Sequence, residues 1–141
     1  MKAYEYRHIV SFEETNLVGN VYFANHIRWQ GRVREMFLRD YAPDVIDALG
    51  QGLSLVTTRV SCEYFQELFA LDEVLIKMFA TQITQNRVTM KFDYLRVRQE
   101  NTEELIASGE QQIASMMKEG TTMRPTPLPQ SLRLALYEFE I

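Results

Sequence analysis

One long helical pattern followed by strand patterns alone is the feature that most restricts the fold of this chain. From the turn at Asn16 to Asp40 the residues divide on a helical wheel of about 100° per residue. One arc carries Phe23, Ile27, Val33, Phe37, Leu38 and Tyr41 with Gly31, and the opposite arc carries Arg28, Arg32, Glu35, Arg39 and Asp40. Arg34 breaks the division, because it falls within the apolar arc beside Ile27. A guanidinium stays charged at ordinary pH, and a buried charge without partners is costly. Either a carboxylate such as Glu63 or Glu35 matches it, or it is held there for chemistry, and periodicity does not choose between the two.

Around this helix the reading is of strands. Tyr4 to Val10 alternates, with Tyr4, Tyr6, His8 and Val10 on one side. Pro43 opens a short helix to Leu49, closed by Gly50 and Gly52. The period then becomes two. Leu53 to Phe65 places Val56, Thr58, Val60, Cys62 and Tyr64 on one face. Asp72 to Ile83, Arg87 to Val97 and Glu103 to Met117 follow, joined by breaks short enough for an antiparallel meander. Thr121 to Pro129 reads as a linker, and Pro129 to Phe139 as a short amphipathic helix with Leu132, Leu136 and Phe139 inward. The expectation is one α+β domain spanning residues 1–141. Its five-stranded antiparallel sheet is crossed on one face by the long helix, and apolar edges favour self-association.

Composition excludes several functions. A net charge of −4 argues against nucleic-acid binding, which needs a basic face. The lone Cys62 cannot form an internal disulfide, which suits a reducing cytoplasm. No apolar run reaches the roughly 18 residues of a membrane span, and no leader is expected. No metal-ligand spacing, nucleophile elbow or phosphate loop is present, so no cofactor is expected. His8 and His26 read as a satisfied strand residue and a helix residue near the first turn. What remains is the Asn16-Leu17-Val18-Gly19 turn entering the helix. Such an entry exposes backbone N–H groups and a partial positive charge that can hold an oxyanion. Asn16 itself reads either as a turn residue or as a group orienting a water or carbonyl, and an amide is no strong base.

The element order and the segment NLVGNVYFANHIRWQGRVREMFLRD resemble the hotdog-fold thioesterases related to hydroxybenzoyl-CoA thioesterase. Their D-x-x-G-x-V motif reads here Asn16-Leu17-Val18-Gly19-Asn20-Val21. The chain is similar over essentially its whole length to the thioesterases encoded beside enediyne polyketide synthases. EYRH at Glu5–His8, FEETNLVGN at Phe12–Asn20 and RWQGRVREMFLRDYAP at Arg28–Pro43 carry that similarity. The resemblance implies a hotdog sheet wrapped around one long central helix. It also implies that Asn16 stands where the wider family has a catalytic aspartate, and that Arg34 falls on an active-site arginine. Together they would position and polarise a thioester, helped by the substrate's own β-carbonyl, while the Phe23 N–H completes the oxyanion hole behind Gly19.

The implied substrate is a linear polyene β-ketoacyl chain on the acyl-carrier domain of an iterative polyketide synthase. The released β-keto acid can lose carbon dioxide. Phe23, Phe37, Tyr64, Met90 and Phe92 are candidate channel walls, and Thr57 and Thr58 are candidates to complete a neighbour's site. A cytoplasmic homodimer or homotetramer is implied. A broad acyl-CoA thioesterase and a non-catalytic acyl-binding domain are the alternatives. A dehydratase fits less well, since neither histidine sits in that family's helix pattern.

Overall fold

Local periodicity and tertiary pairing agree over most of the chain in the computed structural model, which describes residues 2–141. Strand β1 (Tyr4–Ile9) leads through a turn at Phe12–Glu14 into α1 (Ala24–Tyr41). Helix α2 (Pro43–Leu49) follows with Pro43 at its first turn, where a missing N–H costs nothing. Then come β2 (Leu53–Tyr64), β3 (Glu73–Ile83), β4 (Arg87–Val97), β5 (Glu103–Glu119), β6 (Thr122–Pro125) and α3 (Gln130–Glu138).

All strand pairs are antiparallel, in the order β1-β3-β4-β5-β2 with β6 on β5. The expected meander β3-β4-β5 is therefore present. The architecture is α+β, an antiparallel sheet with three helices, of which α1 is the longest. The core lies between α1 and the sheet. Trp29, Val33, Phe37 and Leu38 pack with Val88, Met90, Phe92 and Tyr94 of β4 and with Leu132, Leu136 and Phe139 at the C-terminus. Burying each such aliphatic or aromatic side chain contributes about 1.5–3 kcal/mol.

Two expectations are corrected. The sheet has six strands, not five. The stretch read as a linker turns back at Gly120 (φ +61°), and Thr122–Pro125 pairs with Met116–Glu119. The second correction concerns β2. Thr57 pairs with Ile113 and Arg59 with Gln112, so Thr58 is an extra residue, a bulge. An extra residue flips the faces of everything beyond it. Leu53, Leu55 and Thr57 face α1 before the bulge, and Cys62 and Tyr64 face it afterwards. Val56 and Thr58 do not share that face, contrary to the simple alternation.

Candidate active site

The residues singled out by sequence fall into two clusters along α1. At its start, the Asn16 turn is closed by its own hydrogen bonds. The Val18 N–H donates to Asn16 Oδ1 at 3.0 Å, the Gly19 N–H donates to the Asn16 carbonyl at 3.0 Å, and the Asn16 N–H donates to the Asn20 carbonyl at 2.8 Å. Gly19 takes φ +96°, a left-handed conformation that glycine adopts without strain. Leu17 and Val18 at the tip point into solvent. The Asn16 side chain thus serves the turn, as spacing alone allowed.

Phe23 sits at the N-cap of α1 with its ring exposed, and its carbonyl accepts a hydrogen bond from the Tyr64 hydroxyl at 2.8 Å. Burial pushes that hydroxyl up to about 12, so it stays a donor. Phe23 and Tyr64 line a cavity of about 210 Å³ together with Asn20, His26 and Glu67. The other suggested walls, Phe37, Met90 and Phe92, are fully buried core residues.

The second cluster surrounds Arg34. It lies about 16 Å along the helix axis from Phe23, at roughly 1.5 Å per residue. Its Nη1 donates to Thr57 Oγ1 at 3.0 Å and to Gln111 Oε1 at 2.9 Å. Both acceptors are neutral, and among the described residues no salt bridge to Glu63 or Glu35 is formed. Burial lowers the guanidinium's affinity for its proton while Glu35 raises it, and the group remains a cation. Thr58, by contrast, donates to Gln112 on the far face of β2. The bulge removes it from this cluster.

Between the clusters runs a polar stripe that periodicity alone left unnoticed: His26, Gln30 and Arg34, four residues apart on the buried face of α1. Gln30 is fully buried, and its Nε2 donates to the Ser61 carbonyl at 3.0 Å. Its amide occupies the space over Gly109, where a Cβ would lie 2.3 Å from Gln30 Nε2. Spacing of i, i+4 and i+8 was the available signal for this stripe. His26 is buried too. Desolvation drives its ring down to about 4, opposed only in part by the Phe23 carbonyl, which lies near the ring without completing a hydrogen bond to it, so it is neutral.

Glu14 is a further hub. Its carboxylate accepts from the Ser11 N–H, from Trp29 Nε1 at 2.8 Å and bonds His8 Nε2 at 2.8 Å. Burial pulls Glu14 upward, but those three bonds outweigh it and hold the carboxyl below its ordinary value. His8 is thereby satisfied, as expected. Among the described residues no group of three or more His, Cys, Asp or Glu side chains could hold a metal ion. Among them also, no helix is long and apolar enough to cross a membrane.

With this geometry established, comparison places the chain. Residues 10–136 match the thioesterase-like superfamily, and the chain belongs to it. It is a thioester hydrolase with a hotdog fold. The solved dynemicin thioesterase, described for its induced-fit and allosteric response to polyene binding, is 43% identical, with 99% of each chain covered and a TM-score of 0.95. A 4-hydroxybenzoyl-CoA thioesterase from Pseudomonas shares 12% identity, with 96% of this chain and 99% of that one covered and a TM-score of 0.79. The 1,4-dihydroxy-2-naphthoyl-CoA thioesterase from Synechocystis shares 19% identity over 97% of each chain, with a TM-score of 0.83. Those two likenesses speak to the fold alone. No match is found among curated protein sequences.

Proposed function

We propose that this chain, acting as one hotdog domain over residues 1–141 with α1 as its central helix, hydrolyses a linear polyene β-ketoacyl thioester. The thioester is carried on the acyl-carrier domain of an iterative enediyne polyketide synthase. The observation that carries the reading is the 43% identity over 99% of the chain to a thioesterase that binds a polyene. The charge distribution supports it. A carboxylate is absent from the Asn16 turn, and a half-buried arginine stands further along the same helix. A β-carbonyl draws electrons from the thioester and gives the arginine a second oxygen to hold, which suits a site without an aspartate at that turn.

The roles follow. Asn16 and Gly19 shape the entry to the helix, and the Phe23 N–H at its positive end stabilises the oxyanion. Arg34, oriented by Thr57, polarises the β-ketoacyl group, and Tyr64 walls the acyl chain. The chemistry needs no cofactor. Hydrolysis yields a β-keto acid, which loses carbon dioxide to leave a polyene ketone.

A complete site draws on two copies. The outer half of β2, from Thr57 onward, is mostly exposed and lies at a sheet edge. Antiparallel pairing of two copies along that edge brings the Thr57 end of one strand beside the Tyr64 end of the other. Arg34 of one copy then approaches the α1 start of the other. A cytoplasmic homodimer, or a homotetramer built from it, is the working unit. The test is release of product from a β-ketoacyl carrier domain, followed by mass spectrometry. Asn16→Ala and Arg34→Ala are each expected to lower turnover by about a hundredfold, the scale of a lost oxyanion contact. Wild-type turnover in both variants removes the assignment.

A further inference from the structure

The buried polar atoms that the fold leaves unmatched gather in one place. Among the described residues, the buried side-chain atoms without a hydrogen-bond partner are Nδ1 and Nε2 of His26 and Oδ1 of Asn20. Both residues line the 210 Å³ cavity at the start of α1. His26 is only 3% exposed. Buried polar groups in folded proteins are hydrogen-bonded, so unmatched atoms on two residues that line one cavity mark a place for a small hydrogen-bonding molecule.

The chemistry of the wall narrows what that molecule is. Asn20 Nδ2 is committed to Glu67 Oε1 at 3.1 Å, which leaves Oδ1 to accept. A neutral imidazole offers one donor and one acceptor. The Glu67 carboxylate accepts only. A molecule that accepts from the imidazole N–H and donates two hydrogen bonds, to Asn20 Oδ1 and to the Glu67 carboxylate, fits these groups, and water is the smallest. Water occupies about 30 Å³, so the cavity has room for it and for a reacting carbonyl.

The Glu67 side chain is exposed, and its backbone is held from behind. Arg96 donates to its carbonyl at 2.8 Å and is itself buried against Asp72 and Glu104. The next residue, Leu68, accepts from the Val21 N–H at 2.8 Å. The cavity is lined by Asn20 and Val21, where the Asn16 turn ends, and by Phe23.

We propose that this cavity holds the attacking water of thioester hydrolysis, bound by His26 and Asn20, with Glu67 as the group that takes its proton. The inference rests on the thioesterase reading and supplies the base that Asn16 cannot be. The water oxygen bonds to the carbonyl carbon as one of its protons passes to the Glu67 carboxylate. The tetrahedral intermediate then collapses, the C–S bond breaks, and Glu67 returns the proton to the departing sulfur. The products are a carboxylic acid and a thiol.

Acetoacetyl-CoA serves as the probe, with free thiol as the readout and thermal unfolding as the check on folding. Glu67→Gln is expected to lower kcat by about a hundredfold with KM unchanged, as removal of a general base does. Glu67→Asp retains part of the activity, and His26→Phe and Asn20→Ala lower kcat less. Hydroxylamine, a stronger nucleophile that does not depend on that base, restores turnover of Glu67→Gln as hydroxamate, which a merely structural defect would not allow. If the wild type hydrolyses the probe and folded Glu67→Gln and His26→Phe match its kcat, the water site is overturned while the thioesterase reading stands. A wild type inactive on both this probe and the carrier-bound β-ketoacyl chain overturns the reading beneath it.

Discussion

Gly109 has no side chain because Gln30 needs its space. A Cβ there would lie 2.3 Å from Gln30 Nε2 and 2.8 Å from the Ser61 carbonyl, and the latter is backbone that cannot swing away. Gly109→Ala is therefore expected to destabilise the protein by about 1–3 kcal/mol, the usual cost of overpacking, as read by urea denaturation. It also disturbs Gln111, which shares its neighbourhood with Gln30 and holds Arg34.

His26 makes a prediction of the opposite kind. It is neutral when folded, at about 4, and takes up a proton on unfolding at its ordinary 6.5. The unfolded chain thus binds more protons between those values, so this residue makes stability fall as pH drops from 6.5 towards 4. His26→Phe should shrink the difference in urea midpoint between about pH 7 and about pH 5. An unchanged difference would mean that His26 is not held neutral. At this scale Arg34 was legible in the sequence because a charge on an apolar arc stands out. Glu67 was not legible, since its link to Asn20 joins residues 47 apart in sequence and no local pattern marks it.

The bulge in β2 decides which side chains the edge strand turns towards α1. Deleting Thr58 removes the extra residue and leaves a regular strand in which Thr57 still meets Ile113 and Arg59 still meets Gln112, so both halves keep their faces. Leu53 and Leu55 stay inward, so the contribution of about 1.5–3 kcal/mol from each burial is kept. The deletion should therefore still fold, as read by circular dichroism. Thr58→Ala loses only its bonds to Gln112 and should cost about 1 kcal/mol. A deletion variant that leaves little folded protein would show that the strand needs the bulge itself and not only the register on either side of it.

The same element shows where sequence reading stops. α2 and β4 were legible to the residue, because proline and glycine bracket the one and strict alternation marks the other. In β2 the bulge falls between two threonines of identical chemistry, so nothing in the residue types signals the flip. β6 was missed because a four-residue edge strand ending in proline looks like a linker until β5 is beside it.

Among whole-molecule features, the separation of the Asn16 and Arg34 clusters along one helix bears most on function. A site shared between copies predicts complementation. Asn16→Ala and Arg34→Ala proteins, each inactive alone, should recover about a quarter of wild-type activity after subunit exchange, since half the dimers are mixed and each has one intact site. No recovery after demonstrated exchange would place both residues in one copy's site.

The proposal that the β-carbonyl assists a site without an aspartate at its turn is tested most directly by comparing two substrates on one acyl-carrier domain. These are a β-ketoacyl chain and the saturated chain of equal length, with kcat/KM measured for each. A preference of about a hundredfold for the β-ketoacyl chain, or roughly 3 kcal/mol of extra transition-state stabilisation, is predicted. Equal values for the two chains would contradict it and would describe a broad acyl thioesterase instead.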